Sequence, residues 1–294
     1  MLGGVPGVLI VNPFASRVDA ATTAAVARIL AVDEIVRTDG PGHATELARR
    51  ASGRVPAIYV FSGDGGFNEA VNGADRETPF GFVPGGGTSV LPRALGLPRD
   101  PRRAAERLAA ARPRRISLGR ANGRRFAFSA GVGLDAEFVR RVDALGRTSE
   151  GRRAGDLRFA WAAIRLLAER RGRFDPVLEL RGLGRAAFAL VANGSPYTYV
   201  GRHGLPLAPL ARFELGLDVV APRAVGPAML PRFLLYAARG RGQERAPDVL
   251  HAHDLDRLEL ACDRPLAFQM DGEDLGDVTE VAFEAERDAL TVLA

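Results

Sequence analysis

The stretch from Tyr59 to Gly73 constrains this chain more than any other. A β-prone apolar run ends in Ser62-Gly63-Asp64-Gly65-Gly66, and a helix-compatible segment beginning Phe67-Asn68-Glu69 follows. A strand that turns tightly into a helix presents backbone N–H groups without partners, at the end where the helix dipole favours negative charge. Glycine lets that backbone approach a phosphate with no Cβ in the way. Asp64 lies in the same turn. The pattern describes a phosphate site with a carboxylate built in.

Around this turn the first part of the chain alternates. Strands are expected at 8–11, 34–37, 57–61 and 80–83, and helices at 20–31, 43–51, 68–72, 90–95 and 102–111. Such alternation predicts a parallel sheet covered on both faces, with ligands at the carboxyl ends of its strands. Three loops fall there: 12–16, 62–66 and 84–89. Near residue 114 the pattern changes. Asn122-Gly123 between β-like runs predicts a hairpin, a helical stretch is expected over 133–172, and short strands follow at 177–180, 187–192, 213–220, 255–260, 266–270 and 278–283. A domain 1–113 and a β-rich domain 114–294 are therefore expected, with a return of the last segment to the first domain left open.

Composition limits the chemistry. The 40 basic residues are all arginine, so a Walker-type P-loop and Schiff-base catalysis, which both need lysine, are excluded. Any phosphate grip must use backbone amides and arginine. Cys262 is the single cysteine, which rules out an intrachain disulfide or a cysteine-based zinc site. No signal peptide or membrane-spanning run is read, and a cytoplasmic location is expected. The basic balance, with a pI near 10.2, suits an anionic partner; nucleic acid explains that balance but none of the motifs, and is not expected.

Taken in order, the motifs resemble a known family. Asn12-Pro13-Phe14-Ala15-Ser16 follows the first strand, Gly63-Asp64-Gly65 and Asn68-Glu69 come after a later one, and Pro84-Gly85-Gly86 leads to Thr88 and Arg93-Ala94-Leu95-Gly96-Leu97-Pro98. Gly131-Val132-Gly133-Leu134-Asp135-Ala136 follows the hairpin, and Met270-Asp271-Gly272-Glu273 closes the set. The series is similar to the diacylglycerol kinase catalytic family, which includes bacterial diacylglycerol kinases and sphingosine kinases. The resemblance implies a three-layer α/β nucleotide-binding domain, a β-sandwich-like second domain, and an active site in the cleft between them.

It also implies roles. ATP would lie against Asn12, Pro13, Phe14, Ala15, Ser16, Thr38, Ser62, Gly63, Asp64, Gly65, Gly66, Phe67, Asn68 and Thr88. Asp64 would serve phosphoryl transfer with Mg²⁺, and Glu273 would be the general base, with Asp271 beside it in a tight turn that Gly272 permits. Asp135 matches a position that recognises the substrate head group in sphingosine kinases. The implied reaction moves the γ-phosphate of ATP to a lipid hydroxyl, with diacylglycerol as the expected acceptor. Two alternatives stay open: a kinase of a soluble acceptor, similar to NAD kinases, and a degenerate member that binds without turnover. Gly66 stands where many members carry threonine, Gly87-Thr88-Ser89 departs from the usual series, and Leu215 replaces an acid, which puts a structural Mg²⁺ site there in doubt. Metal ligands are left unassigned.

Between residues 140 and 173 arginines outnumber acids, and Leu157, Trp161, Ile164 and Leu167 recur at helical spacing from Asp156 to Arg171. Such a helix can lie on an anionic membrane surface or pack Trp161 inward with its arginines solvated. Peripheral contact with the inner membrane surface and pairing of two copies through sheet edges both stay open.

Overall fold

The computed structural model describes residues 6–144, 165, 166 and 168–294. The chain divides into two compact units, Met1–Leu118 with Arg287–Ala294, and Gly119–Glu286. The division falls within a continuous strand, Pro113–Ala121.

The first unit is built from β1 (Val8–Val11), α1 (Ala20–Leu30), β2 (Glu34–Arg37), α2 (His43–Ala51), β3 (Ile58–Ser62), α3 (Asp64–Gly73), β4 (Phe80–Pro84), α4 (Val90–Ala94), α5 (Pro101–Ala109) and the start of β5 (Pro113–Ala121). Strands β1 to β4 are parallel in the order β2-β1-β3-β4. The C-terminal residues add a further parallel strand, with Val292 opposite Phe80. Every residue of β1, β3 and β4 is buried, as helices on both faces of a parallel sheet require. One core cluster gathers Leu9, Val26, Tyr59, Phe61, Leu108 and Leu293. The Asp19 carboxylate caps α1 by accepting from Thr22 N–H at 2.7 Å; Asp100, followed by Pro101, caps α5 in the same way.

One difference from the expected elements bears on the site. Helix α3 starts at Asp64, four residues before the expected 68. The glycines lower helix propensity, yet an aspartate in the first turn complements the helix dipole. Asp64 is thereby part of the helix, at its positive end.

The second unit holds the end of β5, then β6 (Arg124–Phe126), β7 (Ser129–Val132), α6 (Leu134–Ala144), β8 (Leu178–Leu180), β9 (Gly184–Ala186), β10 (Ala189–Ala192), β11 (Thr198–Val200), β12 (His203–Leu205), β13 (Leu217–Pro222), α7 (Leu230–Arg239), β14 (Val249–Leu255), β15 (Arg257–Met270) and most of β16 (Glu273–Leu293). Its main sheet is antiparallel in the order β14-β13-β10-β7-β15-β16. Phe126, Phe268 and Phe283 pack edge-on at the centre of its core. Leu255 ends β14, and the rest of the strand expected at 255–260 joins the one expected at 266–270 in a single strand, β15, whose register shifts across Ala261–Leu266 absorb the polar Asp263-Arg264 and Pro265. The hairpin expected at Asn122-Gly123 is present, with φ of 48° and 85°.

Residues Leu157, Trp161, Ile164 and Leu167 of the expected amphipathic helix lie outside the described residues. Among the described residues, no helix is long and apolar enough to cross a membrane.

Candidate active site

In the first unit the loops singled out by sequence lie at the carboxyl ends of neighbouring parallel strands. Strand β1 ends in an Asx turn: Phe14 N–H donates to the Asn12 side-chain oxygen at 3.0 Å, and Ala15 N–H donates to Asn12 C=O at 3.2 Å. Phe14 is 63% exposed, and Pro13 and Ser16 are exposed as well. The loops after β3 and β4 touch through backbone. Gly85 N–H donates to Ser62 C=O at 2.7 Å. A Cβ on Gly86 would stand 2.9 Å from the Gly63 Cα, so this crossing requires glycine.

Asp64 fastens the two loops together. Its carboxylate accepts from Val90 N–H at 2.6 Å, at the first residue of α4. Ser89 before it is held at φ 49°, and its hydroxyl meets Gly86 N–H at 3.2 Å. Thr88 is half-buried at the loop tip. Asp64 is 9% exposed.

Three arginines to which the sequence assigned no role, Arg93 among its motif residues, shape the same loops. Arg99 donates to Gly87 C=O at 2.8 Å, and Arg93 to Thr88 C=O at 3.3 Å. Arg17 contributes its N–H to Gly85 C=O at 2.9 Å and its guanidinium to Arg99 C=O at 3.1 Å. Burial, and then the neighbouring Arg99, lower the Arg17 pKa from its ordinary value. The absence of lysine points to arginine at a phosphate site, but not to which arginines.

Other expected contacts are internal. Phe67 is buried with its ring 5.4 Å from that of Phe82, so its side chain belongs to the core. Thr38 and Asn68 are also buried. Ser62 is buried, and its hydroxyl has no hydrogen-bond partner among the described residues. A Cβ on Gly66 would lie 2.1 Å from that hydroxyl oxygen. Ser62 thus fills the space into which a side chain at 66 would project, which gives the Gly66 departure a local reason.

In the second unit Asp271 and Gly272 form the two-residue turn between β15 and β16, with φ of 49° and 78°. Positive φ at both positions is the hairpin geometry that Asp-Gly favours. The Asp271 carboxylate accepts from the N–H groups of Ala127, Phe128 and Ser129 at 2.6, 2.9 and 3.1 Å. Asn193 grips the same segment, donating from its side chain to Ala127 C=O at 2.8 Å. Asp271 is 4% exposed. Glu273, the next acid, is about half exposed and ion-paired with Arg124.

Asp135, half-buried at the start of α6, joins this turn through a hydrogen-bonded chain. It accepts from the Tyr197 hydroxyl and from the Gln269 amide at 2.6 Å. The Gln269 oxygen accepts from Gly272 N–H at 3.0 Å. Burial raises the Asp135 pKa above the ordinary carboxylate range, while the two hydrogen bonds oppose that shift. Burial, with the nearby Asp135, pushes Tyr197 well above its ordinary value.

A direct metal cage is lacking among the described residues, which show no group of three or more His, Cys, Asp or Glu suited to a metal ion. Single carboxylates fit Mg²⁺ that arrives with a nucleotide and keeps mostly phosphate and water ligands.

The family model of the diacylglycerol kinase catalytic domain matches residues 6–121. A protein named diacylglycerol kinase from Bacillus subtilis is 36% identical over 118 residues, which are 38% of this chain and 39% of that protein. The match therefore spans well under half of that relative's length. A crystal structure of a diacylglycerol kinase from Bacillus anthracis superposes with a TM-score of 0.71 at 20% identity, covering 97% of this chain and 95% of that one. An NAD kinase from Archaeoglobus fulgidus, crystallised with ATP, gives a TM-score of 0.53 at 13% identity over 98% and 93% of the two chains. At these identities the structural matches speak for the fold.

Proposed function

We propose, from a chain whose residues 6–121 carry a diacylglycerol kinase catalytic domain, that the protein is an ATP-dependent lipid kinase with diacylglycerol as acceptor and phosphatidic acid as product. The observation that carries this reading is the pair of glycine loops at the ends of β3 and β4, tied by the Asp64 carboxylate to Val90 N–H. Phosphoryl transfer asks mainly for positioning and charge stabilisation. Backbone N–H groups of 63–66, at the positive end of α3, are suited to the phosphates of ATP, and Arg17, Arg93 and Arg99 hold the loops around them. The Asx turn at Asn12 and the Thr88 hydroxyl complete the nucleotide side. When bound, Mg²⁺ neutralises phosphate charge, and Asp64 would hold it through water.

In this reading Glu273 takes the proton of the acceptor hydroxyl. The hydroxyl oxygen then bonds to the γ-phosphorus as the bond to the β-phosphate bridging oxygen breaks, and ADP leaves. Asp271, occupied by three backbone N–H groups, fits a positioning role better than a catalytic one. Asp135, with Tyr197 and Gln269, is the candidate for contact with the acceptor's head group. A lipid acceptor also agrees with cytoplasmic placement and transient contact with an anionic membrane surface.

Transfer of labelled γ-phosphate from ATP into vesicles containing diacylglycerol, with the product weighed by mass spectrometry, tests the reading. Labelled phosphatidic acid is expected. Labelling of a soluble acceptor such as NAD with none in lipid, or ATP binding without transfer to any acceptor, would contradict it.

A further inference from the structure

The second unit contains a cavity of about 380 Å³ beside α6, a size suited to a small ligand. Five arginines line it: Arg140, Arg141, Arg170, Arg173 and Arg264. The lining carboxylates are Glu137, Asp175 and Asp277. The guanidinium groups fall into two sets. Arg140 is clamped by Asp274 at 2.9 Å and Asp277 at 2.7 Å. Arg141 pairs with Glu137 at 3.0 Å and Glu169 at 2.7 Å, and Arg170 with Glu137 at 3.3 Å. Arg173 and Arg264 have no side-chain hydrogen bond or ion pair among the described residues. Beneath them Phe174 and Ala187 form a buried apolar floor with Leu134 packed against it.

We propose that this cavity binds a phosphomonoester, whose dianion is held by Arg173 and Arg264 and whose apolar body rests on the Phe174 floor. The two guanidinium groups of Arg173 and Arg264, without side-chain partners among the described residues, match the charge of a phosphomonoester dianion, and the planar guanidinium fork suits its oxygens bidentately. Arg140, Arg141 and Arg170 are already compensated by their carboxylate partners and shape the wall. All lining residues belong to the second unit, and the proposal does not depend on the kinase reading. The phosphate can come from a soluble ester or from a lipid head group.

The test uses the whole chain. Glycerol phosphate and inorganic phosphate are titrated by calorimetry, and binding is also followed as a rise in the unfolding midpoint. Sedimentation with vesicles of phosphatidylcholine, with and without about one-tenth phosphatidic acid, provides the lipid arm. The Arg173→Gln/Arg264→Gln variant should bind the probe that the wild type binds about tenfold more weakly or worse. Its unfolding midpoint without ligand should be unchanged, since both side chains are exposed. The control Arg181→Gln/Arg257→Gln removes the same charge elsewhere in the unit and should bind as the wild type does. Loss confined to the soluble probes identifies a small phosphate ester, and loss confined to vesicles identifies a lipid head group; either supports the site. Equal weakening in the control, full affinity in the Arg173/Arg264 variant, or no binding of any probe by the wild type overturns it.

Discussion

Two acidic turns, one in each unit, use carboxylates in different ways. In the first unit Asp64 sits at a helix start between glycine loops, and its carboxylate accepts from Val90 N–H across the loop crossing. In the second unit the work is divided between neighbours. Asp271 is buried under three backbone N–H groups, while Glu273, two residues on, is exposed beside Arg124. The contrast follows from backbone supply. Gly65 is exposed and Gly63 and Gly66 are half-buried in the first turn, which in the proposed reading leaves their N–H groups to phosphate, whereas the N–H groups of 127–129 are already taken by Asp271. Carboxylates that look alike in sequence therefore divide into anchors and candidates for chemistry.

Substitution at each acid can break that division. Replacing Glu273 with Gln should lower turnover about 10²–10⁴-fold, the range for loss of a general base, and leave the unfolding midpoint nearly unchanged, because an exposed ion pair contributes about 1 kcal/mol or less. A large loss of stability with intact turnover would make Glu273 structural. Asp271→Ala should do the opposite first: three buried N–H groups lose their acceptor, and stability of the second unit should fall by about 3 kcal/mol, read by denaturant unfolding. Stability equal to wild type would remove Asp271 from its anchoring role.

Smaller effects sharpen the account of the first unit. Gly66→Ala places a Cβ against the Ser62 hydroxyl and should cost about 1–2 kcal/mol. In a Ser62→Gly background the cost should vanish, giving a coupling of similar size in a double-mutant cycle. Additive effects would mean that the two residues do not share that space.

The smallest effect concerns Asp135. Its folded pKa is raised by burial, so between the ordinary carboxylate value and the raised one the folded state binds the proton and the unfolded state does not. Stability from this group therefore rises as pH falls through that window and is lost as pH rises through the folded pKa. Asp135→Asn should remove this component from the difference between unfolding curves at acidic and neutral pH. An unchanged pH dependence would mean that Asp135 titrates normally.

Much of the first unit was legible because its signals are local. Parallel strands buried on both faces are continuous apolar runs, and the glycine loops mark their ends. The start of α3 at Asp64 was hidden, since Gly65 and Gly66 read as loop until tertiary contacts stabilise the turn. The loop-holding roles of Arg17, Arg93 and Arg99 were also hidden, because in a chain whose basic residues are all arginine nothing in sequence separates a loop-holding guanidinium from a solvated one. In the second unit Asp271-Gly272 read correctly as a tight turn. The backbone donors to Asp271, and the Gln269 amide that meets Asp135, lie more than 100 residues away in sequence, beyond any local pattern. The Ser62–Gly66 exchange needed coordinates: the departure at 66 was visible, the hydroxyl filling its space was not.

The central claim is that the Asp64 turn is the catalytic end of a phosphate site. Turnover of the Asp64→Asn variant with diacylglycerol vesicles and labelled ATP tests it most directly. At least about a 100-fold loss of transfer is expected, by a protein whose unfolding midpoint stays close to wild type. Near-normal transfer by that variant would contradict it.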